Sequence, residues 1–166
     1  MEKMILPALE VEVFDQLSEL AADEQMLLAQ ATTAMQRAYA PYSGFRVGAA
    51  LVLANGVIVQ GNNQENMAYP SGLCAERVAF FHAGAMHPGE KMVKLAITAG
   101  SAQFPSDRPI APCGACRQSM LEYELNQGEP ITLLMRGLEG RIYRVKGIQS
   151  LLPLYFNEEG LKQGSY

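Results

Sequence analysis

Residues 72–80 read GLCAERVAF and residues 112–122 read PCGACRQSMLE. Each stretch begins in loop-forming residues and runs into an apolar-spaced segment with few breakers. Each cysteine group therefore stands where a loop becomes a helix. The first helix is predicted from Cys74 to about Ala85. The second is predicted from Cys113 to about Leu125, stopped by Asn126 and Gly128. Between them, Met92 to Ala99 is a short apolar run centred on Leu95, Ala96, Ile97 and Thr98, the mark of a buried strand.

Outward from this centre, Arg46 to Ala54 reads as a strand, Asn55-Gly56 as a hairpin turn, and Val57 to Gly61 as the returning strand. Ile131 to Met135 and Arg141 to Val145 are two more strands around a turn at Gly137–Gly140, and Gly147 to Leu152 is a short helical piece ended by Pro153. From Val11 to about Tyr39 apolar residues fall at helical spacing: Phe14, Leu17, Leu20, Ala21, then Leu27, Leu28, Ala31 and Met35. A break near Ala22-Asp23 would let Asp23 cap a new helix, and Ala40-Pro41-Tyr42-Ser43-Gly44 is a stop and turn. The order predicts an α/β fold, a mixed sheet with helices on its faces. No repeat or long linker interrupts the chain. Residues 1–166 read as one domain, with 1–24 an N-terminal extension or arm whose first ten residues are loose.

The 166 residues carry a formal charge of -4, with 49% hydrophobic and 18% charged residues. That is a globular composition, and its acidity lowers the expectation of a nucleic-acid partner. Acidic residues and Pro7 stand where a secretory leader would be apolar. No stretch approaches the roughly 20 apolar residues of a membrane span. The expectation is a cytoplasmic protein with no membrane partner, a setting in which disulfides are rare.

The three cysteines, Cys74, Cys113 and Cys116, suit a metal. Three thiolates bind zinc and leave a fourth tetrahedral position open to water, whose pKa then falls to about 7. Cys113 and Cys116, three apart on one helical turn, point the same way. Glu76, two residues past Cys74, projects beside the metal without ligating it and can move protons. Helix N-termini favour thiolates. Three thiolates against one dication leave a formal surplus of negative charge that Arg77 can offset. A CxxC disulfide would explain Cys113 and Cys116 but neither Cys74 nor Glu76. A structural zinc site would need a fourth ligand, and neither His82 nor His87 has a suitable spacing.

Zinc deaminases of nucleobases carry this class of motif. From about Gln25 onward the chain resembles the homotetrameric three-cysteine cytidine deaminases. The resemblance is carried by AYAPYSGFRVGAAL (38–51), GNNQENMAYPSGLCAERVA (61–79), PCGACRQSMLE (112–122) and LLPLYF (151–156). It implies a three-layer α/β/α sandwich with a mixed five-stranded sheet, one Zn2+ per subunit and a homotetramer. It also implies hydrolytic deamination of cytidine and deoxycytidine, in pyrimidine salvage. Water attacks C4 of the cytosine ring, Glu76 protonates N3 and then helps the amine leave as ammonia.

By the same resemblance, Asn63 and Glu65 bind the ribose hydroxyls, Phe45 packs on the pyrimidine and Ala75 offers backbone contacts. Tyr69 and Phe156 are donated between subunits. Each has a plainer reading: an Asn-rich solvated turn for Asn63 and Glu65, a core Phe at a strand start, and ordinary packing for Tyr69 and Phe156. Met67 replaces a small residue usual in the family, and its flexible thioether bears on which nucleoside fits. The competing functions are a deaminase of modified nucleosides or nucleoside antibiotics, a polynucleotide deaminase, and a non-catalytic zinc-stabilised scaffold. The GNNQEN loop argues against the first. The lack of tryptophan and of a Lys/Arg cluster argues against the second, and an intact Glu76 against the third.

Overall fold

A computed structural model of the chain describes all residues except 1–2, 5, 7, 104–105, 159–160 and 162–166. The elements in order are β1 (Glu12–Phe14), α1 (Ala22–Gln36), β2 (Arg46–Leu53), β3 (Ile58–Asn62), α2 (Ala75–Met86), β4 (Met92–Gly100), α3 (Gly114–Gln127), β5 (Thr132–Arg136) and β6 (Ile142–Lys146). Short 3-10 turns lie at Leu17–Glu19, Tyr69–Ser71 and Gln149–Leu151.

The strands form one mixed sheet in the order β1-β6-β5-β4-β2-β3, with β4 and β5 parallel and every other pair antiparallel. Alternation along the strands separates two cores. Ala49, Leu51 and Leu53 of β2, Leu95 and Ile97 of β4, and Leu133 and Met135 of β5 pack with Ala75, Ala79 and Phe80 of α2 and Met120 and Leu121 of α3. The intervening Ala50, Ala96 and Leu134 pack with Leu27, Leu28 and Ala31 of α1 on the other face. The result is the expected three-layer sandwich, α1 on one side and α2 with α3 on the other.

Two glycines let helices sit close on the sheet. A Cβ at Gly48 would lie 2.0 Å from the Ala31 carbonyl oxygen, and one at Gly61 would lie 2.4 Å from that of Ala75. Gly61 therefore seats the first turn of α2, which carries Glu76.

The sheet has six strands rather than the predicted five. Residues 11–20 are not the helix their apolar spacing suggested. They form β1 and a 3-10 turn, and the break expected near Ala22 is where α1 begins, with Ala21 rather than Asp23 as its N-cap. The reason lies in β6. Arg144 donates to both carboxylate oxygens of Glu12 at 2.7 Å and to buried Glu24 of α1 at 3.0 Å, while its guanidinium stands 4.8 Å over the Phe14 ring. Part of the extension is thus a sheet strand and not an arm. The expectation of a loose first ten residues falls in part outside the described residues.

Candidate active site

Register places the functional segments at one end of the sheet. Arg46 opens β2 opposite Gly100, the last residue of β4, and Gly48 lies opposite Asn62, the last residue of β3. The loops leaving β3 and β4 and the turn entering β2 therefore meet. The first two loops lead into α2 and α3, on the same face of the sheet. Cys74 is the N-cap of α2, Cys113 is the N-cap of α3, and Cys116 lies in the first turn of α3.

The three sulfurs lie within 4.8 Å of one another, with Cys74 Sγ and Cys113 Sγ 3.9 Å apart. For a tetrahedral zinc with Zn–S of about 2.3 Å the sulfur–sulfur edge is roughly 3.8 Å. The donor set therefore fits zinc in chemistry and in spacing. Cys116 is buried, Cys74 half-buried and Cys113 exposed, so the cluster opens to one side. The Cys74 thiol is pulled down to about 5, chiefly by the hydrogen bond from Cys116, with Arg77 and Cys113 adding to it against the cost of burial. Cys116 is pushed up, because it keeps the proton it shares with Cys74 and is itself buried. Loading a metal on all three sulfurs requires that proton to leave.

Glu76 is 5% exposed, and burial raises its carboxyl above the ordinary carboxylate value, with the negative charge of Cys74 adding to the rise. A carboxyl raised in this way is suited to taking and returning protons near neutral pH. Cys74, Cys113 and Glu76 form part of the wall of a 490 Å³ cavity. Phe45, Asn63, Glu65 and Tyr69 line the same cavity, joined by Tyr42, Val47 and Ile110. Its size lies in the range of small-molecule sites.

Ala75, Phe156 and Met67 do not line the cavity within one chain. The Ala75 side chain is in the core, so only its backbone can serve the site. Phe156 is 69% exposed and not a cavity wall. Met67 is 83% exposed and also lies off the wall, so within one chain it does not narrow the cavity. The Asn63 side chain donates to the Phe45 carbonyl at 2.9 Å and accepts from the Val47 N–H at 2.8 Å. It thus ties the start of β2 to the loop after β3, whatever further bonds it makes.

Three residues were missed at the level of sequence. Arg117 donates to the carbonyls of Pro112 at 2.8 Å and Leu151 at 3.0 Å, bracing the cysteine turn. Gln118 holds the backbone of Phe156 at both its N–H and its C=O, at 3.1 and 2.9 Å. Ser43 donates to Glu65. Only Ser43 had a local signal, a hydroxyl two residues before Phe45 in a turn.

A family model, the cytidine and deoxycytidylate deaminase zinc-binding region, matches residues 21–127. The chain belongs to this deaminase family. The cytidine deaminase of Sporosarcina psychrophila is 41% identical over 140 residues, 84% of this chain and 95% of that one. The cytidine deaminase of Halalkalibacterium halodurans is 38% identical over 84% of this chain and 98% of its own. The crystal structure of cytidine deaminase from Burkholderia pseudomallei superposes with a TM-score of 0.69 at 37% identity, covering 82% of this chain and all of that one. The zinc-binding character of the deaminase family and the three-sulfur cluster agree on one zinc per chain.

Proposed function

We propose that this protein is a zinc-dependent deaminase of cytidine and deoxycytidine, releasing uridine or deoxyuridine and ammonia. One observation carries the reading: a buried carboxyl, Glu76, shares a cavity both with the three-thiol cluster and with the polar pair Asn63 and Glu65. Metal chemistry, proton transfer and sugar recognition thus meet in one small-molecule site.

Cys74, Cys113 and Cys116 would hold the zinc, whose Lewis acidity would make water a nucleophile at neutral pH. Glu76 takes the proton of the attacking water and returns it to N3 of the pyrimidine. A second proton passes through Glu76 to the amino nitrogen, which leaves as ammonia while the C4 carbonyl forms. Burial of Glu76 keeps bulk water from competing for these protons. Phe45 packs on the base, Ala75 offers backbone bonds to it, and Asn63 and Glu65 bind the sugar hydroxyls. Arg77, whose guanidinium donates to Cys74 Sγ, offsets the negative charge of the thiolates.

The active form in this reading is a homotetramer in the cytoplasm, serving pyrimidine salvage. Tyr69, Leu154 and Phe156 leave 79%, 76% and 69% of their surfaces exposed, apolar area that a neighbouring subunit would cover. Three free thiols fit a reducing compartment. No helix of the described residues is long and apolar enough to cross a membrane.

The test is direct. The zinc-loaded protein is incubated with cytidine, deoxycytidine and a single-stranded oligonucleotide while aminopyrimidine absorbance and ammonia are followed. Turnover of both nucleosides and not of the oligonucleotide is expected. Zinc bound without turnover of either nucleoside sinks the reading.

A further inference from the structure

The sugar end of the cavity is built by a contact between two loops distant in sequence. Backbone bonds run from the Tyr39 N–H to the Asn63 carbonyl at 3.1 Å and from the Glu65 N–H to the Tyr39 carbonyl at 2.9 Å. Above this pair, the turn before β2 grips the Glu65 carboxylate. The Tyr42 N–H donates to Oε2 at 2.8 Å, the Ser43 N–H to the same oxygen at 3.3 Å, and the Ser43 hydroxyl donates to Oε1.

Ser43 has a second bond, which fixes the direction of the first. Its Oγ accepts the Phe45 N–H at 3.0 Å. A serine hydroxyl has one proton to give, and with a backbone N–H already pointing at the oxygen, that proton is turned toward Glu65. A carboxylate offers about four acceptor directions. Three donors from the turn occupy most of them, so the direction left for a ligand is set before the ligand arrives. Asn63 holds the other side of the same unit by donating to the Phe45 carbonyl.

We propose that Ser43 is a positioning residue that locks the Glu65 carboxylate to the Phe45 backbone and thereby sets the enzyme's discrimination for a sugar hydroxyl. This deepens the nucleoside-deaminase reading and rests on it. The same bonds hold the Glu65 carboxyl below its ordinary value, the Ser43 hydroxyl first and the Tyr42 N–H next. Glu65 is therefore an acceptor at neutral pH and calls for a donor, which a sugar hydroxyl is. Fixing the acceptor in advance removes an ordering cost from binding.

The experiment compares the zinc-loaded wild type, Ser43→Ala and Ser43→Thr on cytidine and on 2′,3′-dideoxycytidine, whose sugar lacks the hydroxyls at issue. For Ser43→Ala, KM for cytidine is expected to rise about tenfold or more, the scale of a lost bond to a charged group. Its kcat is expected to stay within about twofold, because Ser43 bonds Glu65 and the Phe45 backbone and neither Glu76 nor the cysteines. On the dideoxy substrate kcat/KM is expected to be unchanged, and Ser43→Thr, which keeps the hydroxyl, to behave as wild type. In parallel, carbon NMR of labelled glutamate follows the titration of Glu65, assigned with Glu65→Gln. Its pKa is expected to move up in Ser43→Ala. Equal losses on both substrates, an unchanged KM for cytidine, or an unmoved Glu65 titration each overturns the proposal. A wild type inert toward every nucleoside overturns the deaminase reading and this proposal with it. The titration, which needs no turnover, then shows whether the Ser43–Glu65 contact itself exists.

Discussion

Arg77 donates to the Sγ of Cys74 at 4.0 Å, one helical turn along α2 from the sulfur it serves. Its Nε is buried with no hydrogen-bond partner among the described residues. Burying a guanidinium with an unfilled donor is costly, and the charge of the thiolates beside it is what offsets that cost.

Removing that charge should weaken metal retention. Arg77→Ala is expected to lower zinc affinity about 10–100-fold, the usual range for a residue supporting metal ligands. Competition with a chromophoric chelator measures it. An affinity equal to wild type would show that the thiolates need no cation.

In the proposed mechanism Glu76 moves protons and does not ligate the metal. Glu76→Gln should keep stoichiometric zinc by elemental analysis and lose activity by about 10²–10⁴-fold. In the wild type, the acid limb of kcat/KM against pH should lie above the ordinary carboxylate value of 4.5, because burial and the charge of Cys74 both disfavour ionisation. A limb at or below 4.5 would assign the limiting ionisation to another group.

Gly61 seats the start of α2, so a methyl group there should disturb both fold and metal. Its Cβ would stand 2.4 Å from the Ala75 carbonyl oxygen and 2.5 Å from the Ala79 nitrogen, backbone atoms that cannot swing aside. Gly61→Ala is expected to cost about 1–3 kcal/mol and to reduce zinc content, because Ala75 follows Cys74. Gly114→Ala, where a Cβ meets nothing within 4 Å, is the control and should melt near wild type. Equal melting temperatures for all three proteins would contradict the seating role.

Glu24 is 3% exposed and paired with Lys94 at 2.9 Å and Arg144 at 3.0 Å. Glu24→Ala removes the buried partner of two cations, which keep only the exposed carboxylates of Asp23 and Glu12, and should destabilise by about 3 kcal/mol, the low end for a broken buried pair. Urea melts measure it.

The same cluster makes β1 sensitive to acid. The Arg144 guanidinium holds Glu12 below its ordinary 4.5, and Lys94 holds Asp23 below 3.8. With folded values depressed, their contribution is present above those pH values and is lost as pH falls through the folded ones. Both carboxylates are exposed, so the effect on global stability is small and should appear as fraying of β1. Pepsin should cut between residues 8 and 20 more readily at pH 3 than at pH 5, relative to a denatured control. Identical relative rates would show that β1 is held by its backbone bonds alone.

The sequence by itself determined which residue types gather at the candidate site. Three cysteines and a glutamate at helix starts point to candidate ligands and a candidate proton carrier, because residue type and i,i+3 spacing are local properties. It also determined the five main strands and the three helices that flank them, since periods of 2 and 3.6 are local too. What the tertiary structure decided was everything set by a distant partner. Residues 12–14 satisfy a helical spacing, yet Arg144, 132 residues on from Glu12, makes them a strand. Asn63 and Glu65 taken alone read more readily as a solvated turn, and only the tertiary structure brings the Tyr39–Phe45 segment against them. The partners of Ser43 and Gln118 were not legible, because a hydrogen bond to a residue 22 or 38 positions away leaves no local trace in the chain.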